Sequence, residues 1–312
     1  MRNLKRTLSL ALASVMLVGM MSVGASAVNA SDFTDADEIV NKDAVSTMTA
    51  LGIINGKEDG SYFDPTGTVT RAEMAKMLCV AINGGVDPVL GVKDTPTFTD
   101  IKGHWAESYI EYCAANGIIA GRGNNKFDPT GTVSATEAAK MLLGVLGYNA
   151  EKSGLVGNDW AINTNVLANQ NGLYKNLANL NANTLLTRDN AAQMIYNALD
   201  ANMVELNAAG NYTTSQYSYT GTESVVTGTE RVWVVKIKDS SVNDAVKALD
   251  GSVYNSRQDA IDTLKDANGG TALDTGKYTL EQKTQNVYGE NTVTKYADET
   301  MGHKYLSLIT DG

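Results

Sequence analysis

Residue types that commonly perform chemistry are few in this chain and do not form a recognisable catalytic set. The histidines are His104 and His303, and neither belongs to the H-E-x-x-H pattern of a zinc site. No serine lies in a G-x-S-x-G turn. We therefore predict no catalytic residue, metal ion or cofactor. A pair of carboxylates for glycoside hydrolysis stays open, because the fold and not the sequence sets their spacing.

The loop at residues 55–66 is rich in polar side chains and invites comparison with a calcium site. An EF-hand loop needs alternating Asp or Asn ligands and a closing bidentate Glu. This loop instead contains Lys57 and ends without that glutamate. We therefore exclude calcium binding and interpret the loop as a turn.

The chain has two cysteines, Cys79 and Cys113, and neither lies in a C-x-x-C pair. Cys79 falls in an apolar run over residues 74–82, which is typical of a small core residue. A disulfide between the two is one alternative and a pair of free thiols is the other. The sequence does not decide, because it gives no distance between the Cβ atoms.

Internal repetition shows which elements must position any site. Residues 63–69 recur unchanged at residues 127–133. Five residues beyond the first run also recur at the same spacing: Glu73, Ala75, Lys76, Met77 and Leu78 reappear as Glu137, Ala139, Lys140, Met141 and Leu142. A third, fainter copy follows, in which Trp160 matches Trp105 but the Phe-Asp-Pro loop is missing.

Each copy is predicted to form a helix, a loop and a second helix. The apolar residues of the first helix fall at helical spacing: Ile39, Val40, Ala44, Val45, Met48 and Leu51. Thr70 with Glu73, and Ser134 with Glu137, have the spacing of a capping box at the start of the second helix. We expect Asp35 and Asp100 to cap the first helices and Asp64, which precedes a proline, to be extended. Six main helices are thus predicted within residues 33–200.

The N-terminal segment and the net charge restrict the class of protein to which this chain can belong. Residues 1–30 combine a basic start, an apolar run and small residues, which predicts a secretory signal peptide. No second long apolar segment follows, so the mature chain is predicted to have no membrane span. The formal net charge is −10 and no basic tract occurs, which argues against a nucleic-acid partner.

The ordered set of motifs resembles the S-layer homology repeat. The residues that carry the resemblance are Phe33-Thr34-Asp35, Gly52-Ile53-Ile54-Asn55-Gly56, Phe63-Asp64-Pro65, Thr70-Arg71-Ala72-Glu73 and Trp105. The resemblance extends from residue 33 to about residue 200, with copies at residues 31–83, 95–148 and 156–200, the last of them degenerate. It implies a mainly α-helical module in which three copies pack as a pseudo-threefold bundle with grooves between neighbours.

The resemblance also implies non-covalent anchoring to the bacterial cell wall through an anionic, typically pyruvylated, secondary polysaccharide held in those grooves. Arg71 and Arg188 are then expected to pair with the ligand's carboxylate, since a guanidinium pairs bidentately with such a group. Trp105 and Trp160 either stack on sugar rings or belong to the core. Ala135 replaces the arginine of the second copy, so we expect a weak groove there and predict that Ala135→Arg restores an anion site.

The composition changes in the C-terminal part, residues 203–312, which we predict to be a small α+β or β-rich region. Strands are expected at residues 231–237, 278–280 and 291–294, and helices at residues 244–249 and 257–267. Residues 305–309 form an apolar run that is either a terminal strand or a sign that the protein is longer. This part has two candidate roles: self-association into a surface layer, or an anchored enzyme that acts on polysaccharide.

Overall fold

The computed structural model describes residues 28–177, 180 and 183–306. The predicted signal peptide therefore lies almost entirely outside the described residues. Within them, residues 28–217 together with 298–306 form one compact unit and residues 218–297 form a second. The mainly helical N-terminal part followed by a strand-rich part agrees with the prediction.

Helices dominate the first unit. Its main α-helices are α1 (Lys42–Ala50), α2 (Arg71–Ile82), α3 (Glu107–Ala115), α4 (Ala135–Val145), α5 (Trp160–Gln170) and α6 (Arg188–Leu199). Two short 3₁₀ turns, Ala30–Asp32 and Ala36–Glu38, precede α1. No helix in the described part of the chain is long and apolar enough to cross a membrane.

The helices α2 and α4 begin with the capping boxes that the sequence predicts. The hydroxyl of Thr70 accepts the Glu73 N–H at 3.2 Å, and the Glu73 carboxylate accepts the Thr70 N–H at 2.7 Å. Ser134 and Glu137 repeat the pair at 3.2 and 2.9 Å. These bonds satisfy N–H groups that a helix start leaves without a partner, and the capping prediction for these four residues is confirmed.

The aspartates that open the first two copies do something other than cap a helix. The Asp35 carboxylate accepts the N–H groups of Phe63 and Asp64 at 2.9 and 2.7 Å. Asp100 accepts those of Phe127 and Asp128 at 2.8 Å each. The prediction that Asp35 and Asp100 cap α1 and α3 is therefore wrong.

The physical reason lies in the Phe-Asp-Pro loops. Asp64 and Asp128 adopt positive φ values of 60° and 62°, so the prediction of an extended Asp64 is also wrong. This tight conformation turns the N–H groups toward the earlier aspartate instead of toward another backbone segment. The helix α1 also begins later than predicted, and Val40 is 82% exposed.

The six helices close a ring. The helix α2 packs on α3, α4 packs on α5, and α6 returns to pack on α1. At the centre, the N–H of Val69 donates to the Leu186 carbonyl, Leu186 donates to Val133, and Val133 donates back to Val69, at 2.8–2.9 Å. Leu78, Leu142 and Ile195 are fully buried and belong to one hydrophobic core.

The first unit extends beyond the predicted boundary at residue 203. It includes an antiparallel hairpin, β1 (Val204–Leu206) and β2 (Tyr212–Thr214), in which the N–H of Val204 donates to the Leu146 carbonyl. Met301, in the last described helix, is fully buried against the helical core. Tyr305, predicted in a strand-like run, lies in this helix, and residues 307–309 lie outside the described residues.

The second unit contains most of two long strands and a small core. A three-stranded sheet has the order β4-β3-β5, with β3 (Gln216–Ile237), β4 (Val253–Tyr254) and β5 (Tyr278–Asp298). The predicted strands at residues 278–280 and 291–294 are parts of the single strand β5. The helices α7 (Asp244–Lys247) and α8 (Arg257–Ala267) complete the unit, and α9 (Met301–Leu306) ends the described chain.

The central ring yields a stability prediction. Leu186 is fully buried there, whereas its neighbour Leu185 is 50% exposed. Leu186→Ala is expected to lower the free energy of unfolding by about 2–5 kcal/mol because it leaves a cavity. The control Leu185→Ala should change it by less than about 0.5 kcal/mol. Urea denaturation measures both, and equal effects would contradict the ring arrangement.

Candidate functional site

A groove of about 430 Å³ opens between α4 and the start of α5. Its polar and aromatic lining comes from the first copy, the second copy and the start of α5: Arg71, Arg122, Glu137, Lys140 and Trp160. Residues 118–122, the turn that follows α3, form one wall. The sequence-predicted residues Arg71 and Trp160 are thus brought together, although 89 positions of sequence separate them.

Arg71 is held at the base of this groove. It is the first residue of α2, is 4% exposed, and donates from Nε to the Phe127 carbonyl at 2.8 Å and from Nη2 to the Ala120 carbonyl at 2.7 Å. Its guanidinium carbon lies 4.4 Å from the centre of the Phe127 ring. Arg71 therefore joins the first copy to the loop of the second and presents part of a fixed guanidinium to the groove.

Positive charge exceeds negative charge in the groove. Arg122 Nη2 lies 2.9 Å from a Glu137 carboxylate oxygen, and Arg71 Nη1 lies 3.8 Å from the same oxygen. Burial and the nearby Arg122 charge lower the pKa of Arg71 to about 10. Burial and the Arg71 charge also lower the pKa of Lys140. Arg122 Nε also lies 3.3 Å from an Asp128 carboxylate oxygen. The three cations therefore share two carboxylates, and an anion that enters the groove relieves the repulsion among the cations.

Trp160 forms the aromatic side of the groove. It is the first residue of α5, and Lys140 Nζ lies 5.3 Å from the centre of its ring. The ring is partly exposed and not part of the buried core. An aromatic face beside fixed charges is the usual lining of a site for a small polar ligand.

A second groove, of about 190 Å³, occupies the corresponding place between α2 and α3. Its lining includes Asn55, Glu73, Lys76, Asp87 and Trp105, and Trp105 is 56% exposed. Lys76 pairs with Asp87 at 2.8 Å, so its charge is already neutralised. This groove has the geometry of the first but lacks its positive excess.

Arg188 repeats the role of Arg71 toward this second groove. It is 5% exposed, and it donates from Nε to the Phe63 carbonyl and from Nη2 to the Asn55 carbonyl, both at 2.7 Å. Burial lowers the pKa of Arg188 as well. Arg188 thus supports Asn55, which lines the groove together with Trp105.

Family comparison identifies the motifs. Residues 32–75 and 97–139 match the model of the S-layer homology domain. The chain carries S-layer homology domains. It is 28% identical over 207 residues to a cell surface protein of Thermoanaerobacter kivui, which covers 66% of this chain and 26% of the relative.

Two further relatives match over shorter stretches. An S-layer protein of Bacillus licheniformis is 32% identical over 111 residues, and Exoglucanase XynX of Acetivibrio thermocellus is 28% identical over 156 residues. The matches cover 36% and 47% of this chain but 12% and 14% of the relatives. The chain therefore spans about a quarter or less of the length of these relatives.

The geometry corrects the interpretation of Ala135. In this chain Arg71 reaches the Phe-Asp-Pro loop of the second copy and Arg188 reaches that of the first, so the groove beside α4 receives Arg71 from the first copy. Ala135 is 1% exposed, and it faces the third copy, where its N–H donates to the Thr184 carbonyl. That copy has no Phe-Asp-Pro motif in its sequence. Because Ala135 is buried, Ala135→Arg is now also expected to lower the stability of the fold, and the restored anion site stays a prediction.

The third interface, between α6 and α1, has lost the other groove residues too. By alignment with the second copy, Val40 stands in the place of Trp105. By the same alignment, Asn190 stands in the place of Glu137 and Gln193 in that of Lys140. Loss of the arginine thus goes together with loss of the tryptophan, the glutamate and the lysine.

Sequence reasoning missed Arg122 and Lys140. A signal existed for Lys140, which repeats Lys76 one turn after the capping glutamate. Arg122 follows the turn at residues 117–121 and gave no comparable signal. In the part of the chain that the structure describes, no group of three or more His, Cys, Asp or Glu side chains is placed to hold a metal ion.

The loop aspartate yields a pH prediction. Burial raises the pKa of Asp100, but the N–H groups of Phe127 and Asp128 lower it more, and the net pKa lies below the ordinary value. Its stabilising effect is therefore complete above the unfolded-state pKa of about 3.9 and is lost as the pH falls through the lower folded-state pKa.

Asp100→Asn is expected to lower the free energy of unfolding at neutral pH by about 1.5–3 kcal/mol and to flatten its decline in acid. Denaturation measured from pH 2 to 7 gives the comparison, with the exposed Asp94→Asn as control. An unchanged pH profile in Asp100→Asn would show that the loop does not depend on this carboxylate.

Proposed function

We propose that the S-layer homology domains anchor this protein non-covalently to the bacterial cell wall by binding an anionic secondary polysaccharide. The groove beside Arg71 is the principal site. The observation that carries the proposal is the excess of three cations, Arg71, Arg122 and Lys140, over the carboxylates of Glu137 and Asp128, next to a partly exposed tryptophan. The family model and the relatives named S-layer protein and cell surface protein support a location at the cell surface.

The ligand chemistry follows from the groove. A carboxylate substituent on a sugar, such as a pyruvyl ketal, carries the charge opposite to that of Arg71, Arg122 and Lys140, and hydrogen bonds between charged groups are stronger than neutral ones. The apolar face of the sugar ring matches the ring of Trp160. A chain with a net charge of −10 repels an anionic polymer overall, so this local concentration of cations decides where the polymer binds.

Residues 156–200 act as a third, degenerate repeat in this proposal. The ring of helix contacts and the central hydrogen bonds through Leu186 support it. Thr187 also caps α6 by accepting the Asn190 N–H, as Thr70 caps α2. The third copy then contributes Trp160 to the principal groove and Arg188 to the second, and it closes the module without a groove of its own.

The function of residues 203–312 remains a separate proposal. The relatives that this chain resembles include proteins named as S-layer proteins and one named as an exoglucanase. We therefore retain both self-association into a surface layer and an anchored enzyme as candidates for this part. Two assays distinguish them. An enzyme releases reducing sugars from purified cell-wall sacculi, and a layer-forming protein assembles into sheets in the absence of any wall.

Sedimentation with sacculi tests the anchoring proposal directly. The protein is expected to sediment with intact sacculi and to stay in solution once the secondary polysaccharide has been removed. Equal sedimentation with both preparations would mean that peptidoglycan, and not the polysaccharide, is the ligand.

Lys140 gives the sharpest test of the principal groove. Lys140→Met is expected to weaken binding of a purified polysaccharide fragment by about 1.5–3 kcal/mol in isothermal titration, because a charged hydrogen-bond donor is lost. The loss should shrink with added salt. The matched control is Lys76→Met, whose lysine is already paired with Asp87 and should matter less. Equal losses in the two variants would contradict the ranking of the grooves.

Arg71→Ala tests the same groove less cleanly. It removes a ligand contact and two hydrogen bonds to backbone carbonyls of the second copy, so it should lower both affinity and the free energy of unfolding. Trp160→Ala, which breaks no side-chain hydrogen bond within the residues that the structure describes, is the better companion. If both Lys140→Met and Trp160→Ala keep the affinity of the unaltered protein and its circular dichroism spectrum, the ligand does not bind in this groove.

A further inference from the structure

The two cysteines meet where the first copy contacts the second. Cys79 lies on α2 and Cys113 on α3, and both are fully buried. Their sulfur atoms are 3.3 Å apart, which is direct contact. A disulfide bond is about 2.05 Å long, so roughly 1.2 Å of movement would join them.

Their position in the repeats strengthens the case for a bond. The chain has two cysteines in all, and they occupy facing positions of one inter-copy contact. The corresponding pairs at the other two contacts are Leu143 with Ala168, and Tyr196 with Met48. The same turn follows all three first helices, because Ile118, Leu173 and Ile53 donate to the carbonyls of Cys113, Ala168 and Met48 at 2.9 Å.

An ordinary packing role does not call for cysteine on both sides. The other contacts use pairs of different size and shape, so the position tolerates various apolar residues. Two cysteines at facing positions, with none elsewhere in the chain, match the requirement of a cross-link instead. A protein at the cell surface is also in a compartment where disulfides form and persist.

We propose that Cys79 and Cys113 form a disulfide in the exported protein, which ties the first S-layer homology domain to the second. Each thiol gives up its hydrogen, and one S–S bond forms. A low-molecular-weight or enzyme disulfide is reduced to two thiols in exchange. The proposal does not depend on the identity of the wall ligand.

The surroundings of the cysteines determine when the bond forms. The hydrogen bond with Cys79 and burial raise the pKa of the Cys113 thiol well above its ordinary value. The thiolate is the species that attacks a disulfide. Exchange is therefore slow once α2 and α3 have packed, and the bond forms while the copies are still docking. Once formed, the same burial protects it from reductants.

The cross-link encloses the segment between α2 and α3, since 34 positions separate the two cysteines. This segment carries Asp87 and Trp105, which line the second groove. Closing a loop of this length restricts the unfolded chain. The oxidised protein is expected to melt roughly 5–10 °C above the reduced protein.

The experiment uses the full protein isolated from the surface of its bacterium. It is denatured in an alkylating reagent without reductant, digested, and analysed by mass spectrometry. The expected result is a peptide containing Cys79 joined to one containing Cys113, with neither cysteine alkylated. Recovery of both cysteines in alkylated form would overturn the proposal.

A second measurement uses recombinant protein refolded in a glutathione redox buffer. The oxidised protein should lose its added thermal stability on reduction under denaturing conditions and refolding. The variant with both Cys79→Ala and Cys113→Ala should melt at the same temperature with and without oxidant. Refolded protein that keeps two free thiols at the redox poise of the extracellular medium would also overturn the proposal.

Discussion

The rest of the helical unit depends on one buried contact, the clamp between an arginine at the start of a helix and the backbone carbonyls of the next copy. A guanidinium that is 4–5% exposed must have hydrogen-bond acceptors, since an unpaired buried charge is very costly. Arg71 finds them at Phe127 and Ala120, and Arg188 at Phe63 and Asn55. The Phe-Asp-Pro loop is held in turn by Asp35 or Asp100, so that arginine, loop and aspartate form one connected unit.

This clamp explains why the grooves are assembled from several copies. The principal groove takes Arg71 from the first copy, Arg122, Glu137 and Lys140 from the second, and Trp160 from the start of α5. Because Arg71 donates two hydrogen bonds to backbone carbonyls, its position is fixed before any ligand binds. A fixed cation loses little conformational entropy on binding, which favours recognition of a carboxylate at a defined place.

The same logic accounts for the unequal grooves. The third copy lacks the Phe-Asp-Pro motif, and the second copy has Ala135 in place of the arginine that would face it. Both halves of the clamp are thus missing together from the sequence at this interface. The remaining two interfaces differ in charge, because Asp87 neutralises Lys76 in one groove while Lys140 in the other lies beside two arginines.

The sequence by itself determined the features that depend on residues close together in the chain. Helical spacing, the capping boxes of Thr70 and Ser134 and the repeated Leu78 and Leu142 all follow from contacts within one or two turns, and the structure agrees with them except at the start of α1, which Ile39 and Val40 precede. Tertiary structure decided the rest. The bonds of Arg71 span 49 and 56 positions and those of Arg188 span 125 and 133, while Asp35 and Asp100 reach across 27 to 29. Such partners become neighbours only when the ring of helices closes, so local patterns name the arginines and tryptophans but do not tell which of them share a groove.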